Sequence, residues 1–379
     1  MKKSLIALAV AGAFATPAAF AASSNIDFYG KFRLSLDHID NSIGWSMHDE
    51  TSRVGFKGAE DLGGGLKAIY QWESGFNPGT STSPVASTGT AGTAYTSGGT
   101  SLGAQRNTFI GLAGDFGTVL AGRHDTPYKL VGSADLFGDT LADAENGAGL
   151  LAYYNPVATA TVSKGVQNVG LCIICEDLRV PNAVAYVSPS FNGLTIAAAT
   201  VVGNGSASTA TTPAVNSLSD AQSIAAMYNN GPLVLGLAYE NLSKIGESAT
   251  ASSNKPDAWK LNAGYTIDSW KLGGTFERLD KVGGVSGQKA NNYLVSVAYG
   301  MGPITLAAQY GYRNFNSQAN ANGLNDLTDA TVGVVYSLSK RTSTYLGYAH
   351  YKSKNASYGG TAIADAKYNV VTLGLNHDF

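Results

Sequence analysis

Over most of the chain, apolar and polar residues alternate one by one. In Ile26–Asp37 one set is Ile26, Phe28, Gly30, Phe32, Leu34 and Leu36, and the other is Asp27, Tyr29, Lys31, Arg33, Ser35 and Asp37. A period of two is the signature of a strand with two differently wetted faces. Leu66, Ala68, Tyr70 and Trp72 alternate in the same way with Lys67, Ile69, Gln71 and Glu73. So do the segments around Trp259–Ile267, Asn292–Tyr299 and Val371–Phe379. Connectors of two lengths separate these segments in rotation. The short ones are Glu60–Gly65, Gly114–Gly117, Ser190–Gly193, Asn229–Pro232, Asp268–Trp270, Gly302–Pro303 and Ser339–Thr342. The long ones are rich in Ser, Thr, Gly and Asn: His38–Thr51, Phe76–Ala104, Thr126–Val180, Gly203–Asp220, Ser243–Pro256, Val282–Lys289, Ser317–Leu327 and Asn355–Ala366.

Seven short turns and eight long loops divide the chain into sixteen strands. An even number of antiparallel strands, short connections at one end and long ones at the other, is the pattern of a transmembrane β-barrel. Within lipid every backbone N–H and C=O must find a partner inside the protein, which leaves helices and closed barrels as the only spanning structures. A two-sheet sandwich also alternates. It does not explain the regular rotation of connector lengths, the aromatics near strand ends, or the Lys and Arg residues on the polar face. The predicted fold is therefore all-β: a 16-stranded antiparallel transmembrane barrel with short periplasmic turns and long extracellular loops. At about sixteen strands a barrel is wide enough to leave an aqueous channel.

The N-terminus adds an address. Lys2 and Lys3 precede the apolar run Leu5–Phe14, and Ala19-Phe20-Ala21 supplies a small-x-small cleavage pattern, so residues 1–21 read as a signal peptide. The barrel then occupies 22–379. Composition agrees with two wetted faces: mean hydropathy is −0.02 and charged residues make up 14%, below the roughly 25% usual in soluble domains. The formal charge of −2 gives no basic footprint for nucleic acid. Two cysteines exclude a disulfide-stapled scaffold.

Several stretches resemble a known family. Ser52-Arg53-Val54-Gly55-Phe56-Lys57-Gly58-Ala59-Glu60-Asp61-Leu62 is similar to the second-strand motif of the trimeric general porins of Gram-negative outer membranes, in particular their β-proteobacterial branch. Gly65–Gly75, Phe109-Ile110-Gly111-Leu112, Gly117–Arg123, Leu338–Thr342 and the terminal Gly374–Phe379 follow in the family's order, from Ile26 to Phe379. The resemblance implies a homotrimer in contact with lipopolysaccharide, passing ions and small hydrophilic solutes by passive diffusion without cofactor or catalysis. It also implies a third loop, here about 126–180, folded into the barrel so that its acids face an arginine ladder on the opposite wall. Carried over by position, the acids are Asp135 and Asp139, and the arginines are Arg53, Arg106 and Arg179, with Arg123 as a further candidate. By alternation Lys31, Arg33, Lys57, Lys67 and Arg313 fall on wet faces and extend a basic lumen track. An excess of guanidinium, which stays ionised beside its neighbours, predicts anion preference at the narrowest point.

The chain departs from the family pattern in two places. The loop reads Ser133-Ala134-Asp135-Leu136-Phe137-Gly138-Asp139 with no Pro, and Asp378 stands where a basic residue is usual. The terminal Phe379, behind alternating apolar residues, resembles the signal read by the barrel-assembly machinery. Cys172-Ile173-Ile174-Cys175, in a long loop of an exported chain, reads as a local disulfide rather than a redox centre. The five His residues show no metal-ligand spacing, and neither a G-x-S-x-G nor a Walker A pattern is present. The competing reading is a barrel adhesin or receptor that uses loops Phe76–Ala104 and Gly203–Asp220, which lack aromatic or arginine anchors.

Overall fold

The computed structural model describes residues 26–40, 44–76, 78, 104–144, 178–202, 218–242, 256–282, 285–321, 326–354, 357–358, 361–362 and 366–379. The expected signal peptide, Cys172, Cys175 and the return of the third loop lie outside them.

Sixteen staves form one antiparallel sheet. The first eight are β1 (Ile26–Ile39), β2 (Gly44–Asp49 and Arg53–Gly63), β3 (Leu66–Gly75), β4 (Ala104–Gln105 and Thr108–Gly114), β5 (Gly117–Asp125), β6 (Arg179–Val187), β7 (Leu194–Val201) and β8 (Ala221–Asn230). The second eight are β9 (Leu233–Asn241), β10 (Asp257–Ile267), β11 (Trp270–Asp280), β12 (Lys289–Met301), β13 (Ile304–Phe315), β14 (Asp326–Ser337), β15 (Thr342–Lys354) and β16 (Ala366–Asp378). Each stave pairs with its sequence neighbour. β16 closes the ring on β1 with a register running from Lys31↔Asp378 to Ile39↔Val370. Closure leaves no open edge within the wall. At the seam Phe379 N–H donates to the Gly30 carbonyl at 3.0 Å, and the Phe379 ring lies where a Gly30 Cβ would be, 2.2 Å from that position.

The two faces follow the alternation. Leu261, Leu272, Val295, Leu346 and Leu373 point outward and are 46–57% exposed. Tyr239 and Trp259 pair at one end of this band, with ring centroids 4.7 Å apart, and Trp270 and Tyr299 pair at the other, 4.5 Å apart. Eight residues of strand between the two pairs span about 27 Å, or about 21 Å of height at a tilt of ~40°. That approaches the ~25 Å apolar band that aromatic girdles bracket.

Two connectors differ from expectation. Strand pairing continues from Glu60 to Gly63, because the register shift between Asp61 and Gly63 lets the ladder run on. His38–Thr51, read as a loop, is mostly hairpin: Leu34–Ile39 pairs with Gly44–Asp49. Its alternation is short, with Trp45 and Met47 outward and His48 buried. A break at Glu50–Ser52, with Thr51 at φ +63°, then separates the two halves of β2. Two short helices also occur, α1 (Pro127–Leu130) and α2 (Ser317–Ala321).

Candidate functional site

The third loop enters the barrel at α1. Thr126 caps it by accepting from the Lys129 amide at 3.3 Å, and Pro127 supplies the fixed φ of a first helical turn. The chain then runs along the inner wall. The Tyr128 amide donates to Ser223 of β8 at 2.9 Å, and the Val131 carbonyl accepts from Asn262 of β10 at 3.2 Å. The Ala134 amide donates to Thr275 of β11, the Leu136 amide to Gln309 of β13, and the Tyr351 hydroxyl of β15 to the Leu141 carbonyl.

The wall is cut back to receive this loop. A Cβ added at the inward glycines Gly236, Gly273 or Gly333 would meet Val131 at 2.5 Å, Ala134 at 2.9 Å or Phe137 at 2.6 Å. Much of the buried apolar surface lies between loop and wall: Tyr128 and Val131 against Ala225, Met227, Ala238 and Ala258, and Phe137 and Leu141 against Ala349, Tyr351 and Val370.

A belt of buried polar side chains underlies the start of the loop. Register places Lys260, Glu277, Asn292 and Arg313 side by side on β10 to β13, and none is exposed. Tyr128 donates its hydroxyl to Glu277 Oε1 at 2.9 Å, and its ring lies under Lys260 Nζ at 4.5 Å. Asn292 donates to Glu277 Oε2 at 2.6 Å. Buried charges of this kind persist only when compensated.

The loop delivers Asp139 to the opposite wall. Its backbone is left-handed, φ +59°, and its amide donates to Asp143 Oδ2 at 2.8 Å. The Oδ2 atom of Asp139 sits 2.7 Å from Arg33 Nη1 and 3.6 Å from Arg53 Nη1. Burial pushes the Asp139 carboxyl up, but Arg33, Arg53 and Arg106 outweigh it and hold it down, to about 2. On the adjoining staves Arg106 Nε bonds Glu73 Oε1, and Glu73 Oε2 also accepts from the Tyr29 hydroxyl at 3.0 Å. Arg179 Nη2 lies 2.9 Å from Asp125 Oδ1, and its Nε donates to Asn107 at 2.7 Å.

The residues named from the sequence thus fall into groups. Arg33, Arg53, Arg106, Arg179 and Asp139 meet in one cluster. Asp135 does not face it: its carboxylate accepts from the Phe137 and Ala144 amides at 2.8 and 3.0 Å and holds the loop's own turn. Arg123 stands opposite Thr108, on the outward face shared by the pairs Ile110↔Ala121 and Leu112↔Val119; next to it the shift between Gly122 and His124 breaks the parity of β5. Lys31 pairs with Asp378 at 3.4 Å, and Lys57 lies over the Tyr29 ring at 5.6 Å. Lys67 sits opposite Asp61 near the turn end. Arg313 is fully buried against the Phe315 ring, so it does not line open lumen.

Sequence reasoning missed Glu73 and Asp125, the carboxylates on the arginine wall. Glu73 was legible, since it shares the wet parity of Lys67 and Gln71. Asp125 was not, since its face depends on the same shift in β5. Among the described residues no cluster of three or more His, Cys, Asp or Glu could hold a metal. The site offers fixed charges of both signs, an arrangement that orients polar solutes and sorts ions.

Comparison with known proteins gives the same outline. The family model described as Gram-negative porin matches residues 7–356. Outer membrane porin protein 32 of Delftia acidovorans is 29% identical over an alignment of 407 positions, covering all of both chains. The major outer membrane protein P.IB of Neisseria lactamica is 27% identical over 411 positions, again covering both chains in full. Among solved structures, the anion-selective porin from Comamonas acidovorans superposes with a TM-score of 0.66 at 20% identity, covering 94% of this chain and 100% of that one. A trimer form of OmpT of Vibrio cholerae gives 0.58 at 16% identity, covering 94% and 99%.

Proposed function

The chain belongs to the Gram-negative porin family and is an outer-membrane diffusion channel, and we propose that its constriction is the stretch of lumen bordered by the cluster of Asp139 with Arg33, Arg53, Arg106 and Arg179. The observation that carries this reading is the loop seated along the inner wall with Asp139 ending 2.7 Å from Arg33. The family and the fold are those of a channel rather than an enzyme.

The solutes are small and hydrophilic. Fixed charges of both signs hold ordered water along this stretch, and a lipophilic solute that displaces this water gains nothing in exchange. Anion preference is supported by the local balance, in which the four arginines face three carboxylates, Asp139, Glu73 and Asp125. It is supported also by the description of the Comamonas acidovorans neighbour as anion-selective. The functional unit is a homotrimer, as in the OmpT trimer form, embedded beside lipopolysaccharide. Phe379 is the residue offered to the assembly machinery.

Bilayer recordings in a KCl gradient test this. Stepwise currents with an anion-preferring reversal potential are expected, and neutralising Arg53, Arg106 and Arg179 together moves that potential toward cations. An unchanged potential removes the three from the constriction.

A further inference from the structure

We propose that Glu73 and Asp125 are selectivity-determining residues of this pore, holding its anion preference down by cancelling Arg106 and Arg179. The inference rests on the constriction reading above. It gives the two wall acids a role of their own, where that reading only counts them in the charge balance.

The geometry separates the four arginines by how fully each is engaged. Arg106 donates Nε to Glu73, whose other oxygen is already taken by Tyr29, and the Arg106 amide donates to the Glu73 carbonyl at 3.0 Å, so side chain and backbone are tied to the same residue. Arg179 is held by Asp125 at 2.9 Å and by Asn107 at 2.7 Å, and Asn107 in turn donates to the second Asp125 oxygen at 2.8 Å. Arg33 has Asp139 at 2.7 Å. Among the described residues, Arg53 makes a longer 3.6 Å approach to the same Asp139 oxygen and a 3.4 Å contact to the Thr51 hydroxyl, and its side chain is the least exposed of the four.

Shielding adds to the difference. The Glu73 and Asp125 side chains are 9% and 15% exposed, whereas Asp139 is 35% exposed. Behind low-dielectric walls their charge is poorly screened by salt, so each acts on the lumen although an ion does not touch it. A carboxylate paired to a guanidinium also fixes the fork in one orientation and occupies donors that an oxyanion would otherwise use.

The test is the KCl reversal potential of the full-length channel carrying Glu73→Gln, Asp125→Asn or Glu73→Asp. Gln and Asn keep the shape and one acceptor oxygen but lose the charge. Each is expected to raise the anion-over-cation permeability ratio about twofold, while Glu73→Asp, which keeps the charge, stays near wild type. Asp125 belongs to a separate pair, so its variant carries the test if the Glu73 variants do not insert. No shift in the neutral variants, or an equal shift in Glu73→Asp, overturns the proposal. A wild-type pore that prefers cations, with the shifts toward anions intact, would instead refute the anion-preferring reading and leave this one standing.

Discussion

Replacing Asp139 with Asn removes one charge and little else. Asn tolerates the left-handed backbone found there, and the amide bond to Asp143 is unaffected. What is lost is the attraction to Arg33 at 2.7 Å and to Arg53 at 3.6 Å. The drop of the carboxyl from 3.8 to about 2 converts, at about 1.36 kcal/mol per pH unit, to a little over 2 kcal/mol. The side chain is 35% exposed to the lumen, and screening there reduces the figure to about 1 kcal/mol of loop docking. For transport, a unit charge ~8 Å from the axis acts on a monovalent ion with about 0.5 kcal/mol in water-like dielectric, roughly halved by a Debye length of ~10 Å at 0.1 M. Anions gain what cations lose, so the permeability ratio moves about twofold toward anions. The pH window follows from the sign. A depressed carboxyl keeps its charge, and its contribution, above the unfolded value near 4, and loses both as pH falls through about 2. Reversal potentials of wild type and Asp139→Asn should therefore differ equally at pH 7 and pH 4, by about half as much near pH 2, and converge below it. Identical potentials at pH 7, or a difference already down by about 40% at pH 4, as for a carboxylate at its ordinary 3.8, would mean that this carboxylate faces bulk water and not the arginines.

Three further outcomes follow from the packing. Tyr128→Phe deletes the hydroxyl bonded to the buried Glu277 and costs about 1–3 kcal/mol of loop anchoring; the open-channel current should become noisier with its mean nearly unchanged. Gly236→Leu places side-chain atoms where Val131 sits, 2.5 Å from the new Cβ, and overpacking of about 1–3 kcal/mol should shift single-channel conductance while far-ultraviolet circular dichroism stays that of a barrel. Gly30→Val evicts the Phe379 ring from the closing seam and should lower the temperature at which the barrel loses its compact mobility on unheated gels, with no change in ion selectivity.

Much of the fold was legible because a barrel wall obeys a local rule. Each stave must show one face to lipid and one to water, so sixteen staves could be counted from alternation and connector length alone. The rule fails where a strand breaks register. At Glu50–Ser52 the chain inserts a left-handed Thr51 between the halves of β2, and the preceding Gly44–Asp49 was lost to a loop assignment because six residues of alternation are too few to stand out. In β5 the shift between Gly122 and His124 brought Asp125 inward, reversing the face that strict alternation assigns, while Arg123 kept the outward parity of Val119 and Ala121.

The site was legible only on one side, and the reason is physical. Alternation tells which side chains enter the lumen but not which of them meet, because contact between a loop and a wall is set by how far the loop travels. Asp135 and Asp139 are four residues apart on the same Gly-rich segment, and only the track of Gly236, Gly273 and Gly333 decides that the second reaches Arg33 while the first closes a turn. Arg313 shows the same limit from the wall: its parity is inward, yet it is fully buried against the Phe315 ring, opposite Asn292. Charge read from composition misleads for a related reason. The chain as a whole is slightly acidic, the arginines alone suggest a strongly basic throat, and the pairing with Glu73, Asp125 and Asp139, the second of these shared with Lys129, leaves a small positive excess. A selectivity set by so small a difference is one that a single neutralised carboxylate can visibly change.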